Sequence, residues 1–210
     1  MPQSDLQIRA MDSADLDAVV GVHQYAFPLF FLTRMGPGFL RAYYRTVLDF
    51  PGSIALVACA GGEAVRVQGF AVGFHDPHLF YALFAQHRRR LLPSLALAVV
   101  RDPGLIAQML RNVRRVSDQQ GIVHPGTAEL SSIGVAGQGG GIGGQLMEAF
   151  VAAATATGAQ QILLTTDRDD NDAVRAFYER RGFVLDGFEN RGERWLCRYV
   201  RSLDSTLSGG

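Results

Sequence analysis

The sequence predicts one α/β domain: a mixed sheet of about seven strands with flanking helices. Three observations carry that reading. First, 210 residues is a single-domain length, and such a chain buries roughly 70% of the surface its unfolded form exposes. Second, 48% hydrophobic and 19% charged residues is the balance of a folded globular chain rather than a disordered one. Third, residues 127–166 read as strand, glycine loop, helix, strand. That is a βαβ unit, whose strands run parallel with a right-handed crossover.

The elements follow in order. Residues 6–11 (LQIRAM) read as a short strand. Asp12 and Ser13 are placed to cap a helical run through Gln24, with Leu16, Val19, Val20 and His23 on one face. An aromatic loop, Tyr25 to Met35, comes next. Gly36 and Pro37 then open a second helix to about Asp49, since proline is tolerated in a first turn. Ser53–Ala60 and Ala64–Phe74 are strands joined by a turn at Gly61-Gly62.

From His75 to Gly126 helical periodicity dominates, punctuated by Pro77, Pro93 and Pro103. A structureless loop of that length does not suit a compact domain, so the segment is expected to be a helical insertion. It is locally basic (Arg88, Arg89, Arg90, Arg101, Arg111, Arg114 and Arg115 against Asp76, Asp102 and Asp118). Thr127–Val135 is a strand, Ile142–Thr157 a helix with Leu146, Phe150 and Ala153 or Ala154 inward, and Gln161–Thr166 a strand. A last helix, Asn171–Arg181, stops at Gly182. Phe183–Phe188 and Glu193–Val200 form a hairpin around Asn190-Arg191-Gly192. The domain is expected to span 1–204, with 205–210 a flexible tail.

Composition excludes several classes. The formal net charge is zero, against the basic excess of a nucleic-acid binder. The longest apolar runs, Ile54–Ala60 and Leu95–Val100, fall far short of the ~18 residues of a membrane span. The start of the sequence is polar and acidic, with no signal-peptide pattern, so a cytoplasmic protein is expected. Cys59 and Cys197 are the only cysteines, too few for a disulfide framework or a Cys-rich zinc site. All 20 basic residues are arginine, which removes Schiff-base lysine and P-loop lysine chemistry. His75-Asp76-Pro77-His78 has poor metal-ligand spacing, and no metal is expected.

Seven glycines fall between Gly134 and Gly144. Glycine costs backbone entropy on folding, so this density needs a reason. Bare amides converging at a helix N-terminus make an anion site, favoured further by the helix dipole. A pyrophosphate would fit against Gly139 to Gly144. Two ligands compete. Gly139-x-Gly141-x-x-Gly144 matches a dinucleotide fingerprint, with Asp167 where a ribose-binding acid belongs. Topology weighs against an NAD(P)-binding oxidoreductase, because too little chain follows Asp167 to complete that sheet.

The second reading is acyl-CoA. Gln138-x-x-Gly141-x-Gly143 resembles the Q/R-x-x-G-x-G/A loop of the GNAT-type N-acetyltransferases. Asn171-x-Ala173-x-x-x-Phe177-Tyr178-x-x-x-Gly182-Phe183 resembles that family's second motif, with the alanine one place early. Glu129 to Val135 resembles its fourth strand. Here Val135-Ala136-Gly137-Gln138 is about two residues shorter than the family's usual spacing, and the 75–126 segment is longer than its usual connection between the third and fourth strands.

The resemblance implies a mixed, mostly antiparallel sheet and acetyl-CoA as co-substrate. It also implies direct acetyl transfer to a primary amine. Pantetheine would pair with Ile133 and Val135 in a gap between the fourth and fifth strands. The implied cofactor-binding residues are Ile133, Gly134, Val135, Gln138, Gly139, Gly140, Gly141, Ile142, Gly143, Gly144, Thr166, Asn171 and Tyr178. Tyr178 matches the family's general acid for the departing thiolate. Asn171 is also a helix-cap candidate. Glu129 lies six residues before Val135 on an otherwise apolar or small strand, where a carboxylate beside a cleft takes a proton from an ammonium. His75 is the fallback base. The Arg-rich insertion and the Tyr25–Met35 loop are expected to border the acceptor, a small amine such as an amino sugar or nucleotide-linked amine. A CoA-binding module without catalysis is the other outcome to test. Leu79, Phe80, Leu83, Phe84, Leu91 and Leu92 beside Arg88–Arg90 offer a surface for a second copy or a membrane face, and helix packing explains them as well.

Overall fold

The computed structural model describes residues 6–61, 66–86, 126–137, 140–191 and 194–203. Seven strands form one sheet in the order β1-β2-β3-β4-β5-β7-β6. They are β1 (Leu6–Ala10), β2 (Ser53–Ala60), β3 (Arg66–His75), β4 (Thr127–Val135), β5 (Gln161–Asp167), β6 (Val184–Arg191) and β7 (Arg194–Ser202). Every neighbouring pair is antiparallel except β4 and β5. The mixed, mostly antiparallel expectation therefore holds. A dinucleotide-binding sheet would be mostly parallel.

Alternation along β3 sends side chains to two separate cores. Phe70, Val72 and Phe74 face one core with α1 (Leu16–Ala26), α3 (Pro37–Asp49) and Phe80 of α4 (Pro77–Gln86). Ala71 faces the other, with Leu146, Met147, Phe150 and Ala154 of α5 (Ile142–Ala156) and Tyr178 of α6 (Asp172–Glu179). The three-and-four spacing on α5 is a buried helical stripe, and Ala154 is its inward alanine. A four-residue helix, α2 (Phe31–Arg34), sits inside the aromatic loop.

Two local expectations are corrected. The first helix begins at Leu16, not beside Ser13. Asp12 and Asp15 build a turn instead: the Ala14 N–H donates to Asp12 Oδ1 at 2.7 Å and the Asp12 N–H to Asp15 Oδ2 at 2.9 Å. Arg9 closes that turn with two 2.7 Å bonds to Asp15. The final hairpin is also longer than read, because Asn190 and Arg191 remain paired with Trp195 and Arg194. Helix α4 lies in the expected insertion. Its remainder, with the arginine cluster Arg88 to Arg115, lies outside the described residues.

Two irregularities shape the centre. The β3–β4 register shifts between Val72 and Gly73, which pair with Ser132 and Leu130 and leave Ser131 as a bulge. And β4 pairs with β5 over three positions only, Thr127 to Glu129 against Gln161 to Leu163.

Candidate active site

Beyond Glu129 the two central strands part. β5 runs on to Asp167 paired with β7, and β4 runs on to Val135 paired with β3. The facing edges of Leu130–Val135 and Leu164–Asp167 are unpaired with each other. Buried backbone groups need partners, so this edge is open to a ligand with amide groups. The Ala136 N–H donates to Gln68 O at 2.7 Å, toward β3. By the alternation of an extended strand, the amides of Val135 and Ile133 point the other way, into the gap. Gly134 bonds toward β3 opposite Phe70. A Cβ there would lie 3.1–3.2 Å from Phe70, Ala26 and Phe27, so its lack of a side chain serves the packing of α1.

The glycine loop ends at the wide end of the gap. Gly140 and Gly141 have φ of +71° and +69°, a left-handed conformation costly for any residue with a Cβ. Gly141 occupies the N-cap of α5 and supplies no side-chain acceptor. The first-turn amides of Ile142, Gly143 and Gly144 are therefore without a capping side chain, at the positive end of a 15-residue helix. These groups fit a pyrophosphate. Gln138 and Gly139 lie outside the described residues.

Glu129 stands at the narrow end, the last residue of β4 paired to β5. Its register partner Phe74 faces the α4 core, and its carboxylate takes a hydrogen bond from the Tyr81 hydroxyl at 2.8 Å. Burial pushes the Glu129 carboxyl above its usual range, and Glu189 adds to that. Tyr81, Arg191 and His78 pull it back. Two residues along, Ser131 Oγ lies 3.1 Å from Tyr43 Oη of α3. Farther in, His23 Nδ1 lies 2.6 Å from Tyr44 Oη. Burial lowers the His23 pKa to about 4, and its Nε2 is sealed with no partner among the described residues.

Tyr178 is 7% exposed among Phe177, Phe183 and Tyr199. Burial pushes its pKa to about 12, so it is protonated at neutral pH. Asn171 occupies the N-cap of α6 but does not cap it. Its Nδ2 donates instead to Thr166 Oγ1 at 2.8 Å and Asp167 O at 2.9 Å, tying α6 to the end of β5. The predicted cap is thus corrected, while Thr166 and Asn171 are brought together.

His75, the fallback base, is not brought to the site. Its Nδ1 lies 3.1 Å from Thr157 Oγ1 at the end of α5, on the sheet face opposite Glu129. Asp167, the would-be ribose acid, is held by Arg194 through three bonds of 2.5–2.9 Å. The same guanidinium lies 4.8 Å from the Phe30 ring centroid, joining the aromatic loop to β5. Tyr43, Tyr81 and Ser131 escaped the sequence reading, and no local signal marks them.

The model of the acetyltransferase (GNAT) family matches residues 23–183. No curated protein is similar to this chain at a significant level. Among solved structures, an N-acetyltransferase from Staphylococcus aureus Mu50 superposes with TM-score 0.60 at 17% identity, covering 96% of this chain and 100% of its own. The ribosomal-protein-S18-alanine N-acetyltransferase from Escherichia coli gives 0.58 at 14%, covering 97% and 99%. The PaiA N-acetyltransferase from Thermoplasma acidophilum, in complex with coenzyme A, gives 0.53 at 12%, covering 94% and 99%. These structural likenesses establish the fold. With the family model matching about three-quarters of the sequence, the chain belongs to the GNAT acetyltransferase family.

Proposed function

We propose that this chain moves an acetyl group from acetyl-CoA to a primary amine of a small molecule, such as an amino sugar or nucleotide-linked amine, by direct attack in a ternary complex. The observation that carries this reading is the gap itself: one strand edge left unpaired between a half-buried carboxylate and an uncapped helix N-terminus. When bound, acetyl-CoA supplies the activated acyl group as a thioester. Gly140 to Gly144 hold its pyrophosphate, with Gln138 and Gly139 as further candidates. Ile133 and Val135 pair with its pantetheine arm, and Thr166 and Asn171 support the β5 side.

Glu129 takes a proton from the acceptor ammonium, and burial makes its carboxylate more basic for that purpose. The freed amine forms the new C–N bond at the thioester carbon. A β4 amide facing the gap donates to the oxygen on which negative charge grows, a contact typically worth about 10²–10³ in rate. The C–S bond breaks, and Tyr178 gives its hydroxyl proton to the leaving sulfur. Solvent then reprotonates Tyr178 and takes the proton from Glu129. Cys59 and Cys197 are both buried, which favours direct transfer over an acyl-cysteine route.

The test is an amine-library screen following free thiol release with acetyl-, propionyl- and succinyl-CoA. Glu129→Gln and Tyr178→Phe should each lower kcat by about 10²-fold or more, and in Glu129→Gln the CoA affinity should stay unchanged. No turnover with any amine would favour a CoA-binding module. Tight binding of NAD without CoA would overturn the reading.

A further inference from the structure

We propose that Tyr81, from the helix that opens the insertion after β3, is a positioning residue that orients Glu129 and sets its proton affinity. The inference rests on the reading of Glu129 as the base, and goes beyond it by assigning a role to a residue outside every motif.

The contact is direct, 2.8 Å from Tyr81 Oη to Glu129 Oε1, between residues 48 apart in sequence. Both ends are held. Glu129 is fixed in the β-ladder on both sides, opposite Phe74 and Leu163. Tyr81 is wedged edge-on against Phe80 (5.4 Å, 71°) and Phe74 (6.1 Å, 72°), which are themselves stacked at 3.6 Å. The start of α4 is held by Asp76 Oδ1, which accepts from the Leu79 N–H at 3.1 Å. A tyrosine has two side-chain torsions, and this packing fixes both, so its hydroxyl reaches one place.

Tyr81 can only donate here. Burial and the neighbouring carboxylate hold its pKa well above the usual value, so it stays protonated wherever the enzyme works. One oxygen of Glu129 is occupied by that donor, and no described residue donates to Oε2. The hydrogen bond thus selects the rotamer and leaves one oxygen for the incoming ammonium. It also favours the charged carboxylate over the acid. Among the described residues, the other charged or titratable groups facing Glu129 are His78 of α4 and Glu189 and Arg191 of β6, with Tyr43 of α3 one contact away at Ser131. Of these groups and Tyr81, only Tyr81 donates a hydrogen bond to the carboxylate.

The sign of the test follows. Without the hydroxyl the carboxylate loses its donor, Glu129 holds its proton to higher pH, and the acid limb of the rate profile moves up. Tyr81→Phe, which keeps the ring and its packing, should lower kcat about tenfold or more. It should move the acid limb of kcat up by about half to one pH unit, with the Kd for CoA unchanged. A second readout needs no acceptor: carbon-13 NMR of the labelled glutamate carboxyls, with Glu129 assigned by its absence in Glu129→Gln. Its midpoint should rise in Tyr81→Phe. If that variant does not fold, site-specific difluorotyrosine at position 81 keeps the ring and strengthens the donor, and should move the limb down instead.

An unmoved limb and an unmoved carboxyl midpoint in Tyr81→Phe, with Glu129→Gln inactive, would reduce Tyr81 to a packing residue and leave the base assignment standing. Full activity in Glu129→Gln would remove the base assignment and this inference with it.

Discussion

Replacing Gly73 by alanine should strike the fold and the site together. Gly73 sits on β3 at the bulge, opposite Leu130. A Cβ there would overlap the carbonyl oxygen of Glu129 and lie 2.5 Å from Phe150 Cζ. Phe150 is fully buried in the α5 core and has nowhere to swing. For ordinary contact the ring must retreat by about 0.9 Å, and the β3–β4 ladder must open by more. Overpacking of this kind costs about 1–3 kcal/mol. For a chain of this size each kcal/mol moves Tm by roughly 2–4 °C, so a fall of about 2–12 °C is expected in thermal denaturation followed by circular dichroism. The displaced strand carries Glu129 with it, and misplacing a catalytic group by about 1 Å can cost 10²-fold in rate. Gly21→Ala is the control. A Cβ at Gly21, within α1, meets nothing within 4 Å, so better helix propensity should leave that variant equal to wild type or more stable. A Gly73→Ala protein with wild-type Tm would show that the strands yield freely at the bulge, and would refute the reasoning.

Gly141→Ala should raise the Kd for CoA several-fold in calorimetric titration while Tm falls by only about 2–4 °C, since its φ of +69° is strained for alanine but the space around it is empty. Unchanged affinity would argue against pyrophosphate at these amides. His23 should make folding stability pH-dependent. Its pKa is about 4 in the fold against 6.5 when exposed. The unfolded chain therefore takes up a proton first as pH drops, and up to about 3 kcal/mol is lost between pH 6.5 and 4. Urea titrations across that range should show the loss, and His23→Gln should flatten it.

The sheet was readable where side-chain pattern and backbone agree. β4 falls where Thr127 to Val135 suggested, because small and apolar residues between a turn and a glycine loop leave few alternatives. Helix α5 follows from its stripe of Leu146, Phe150 and Ala154. The start of α1 falls after Asp12 and Ser13 because Asp12 is drawn into a turn closed by the Arg9–Asp15 pair, a side-chain contact that helical periodicity does not show. Helix α2 is one turn long and shows no period. Asn171 was in the right place with the wrong task, since nothing local reveals that its amide reaches back to Thr166. The motifs exposed the donor side because its work is done by backbone at fixed spacing. The neighbours of Glu129 escaped because Tyr43 lies 88 residues from Ser131, and only the folded sheet brings them together.

The short parallel joint between β4 and β5 has a mechanical consequence. Strands β1 to β4 form one leaf and β5, β7 and β6 another, stitched through backbone by three residue positions. A ligand arm lying along the vacant stretch of β4 would act as a splice, lengthening the stitching. Hydrogen exchange at Thr127–Glu129 and Gln161–Leu163 should then slow on saturation with CoA, although none of those amides need touch it.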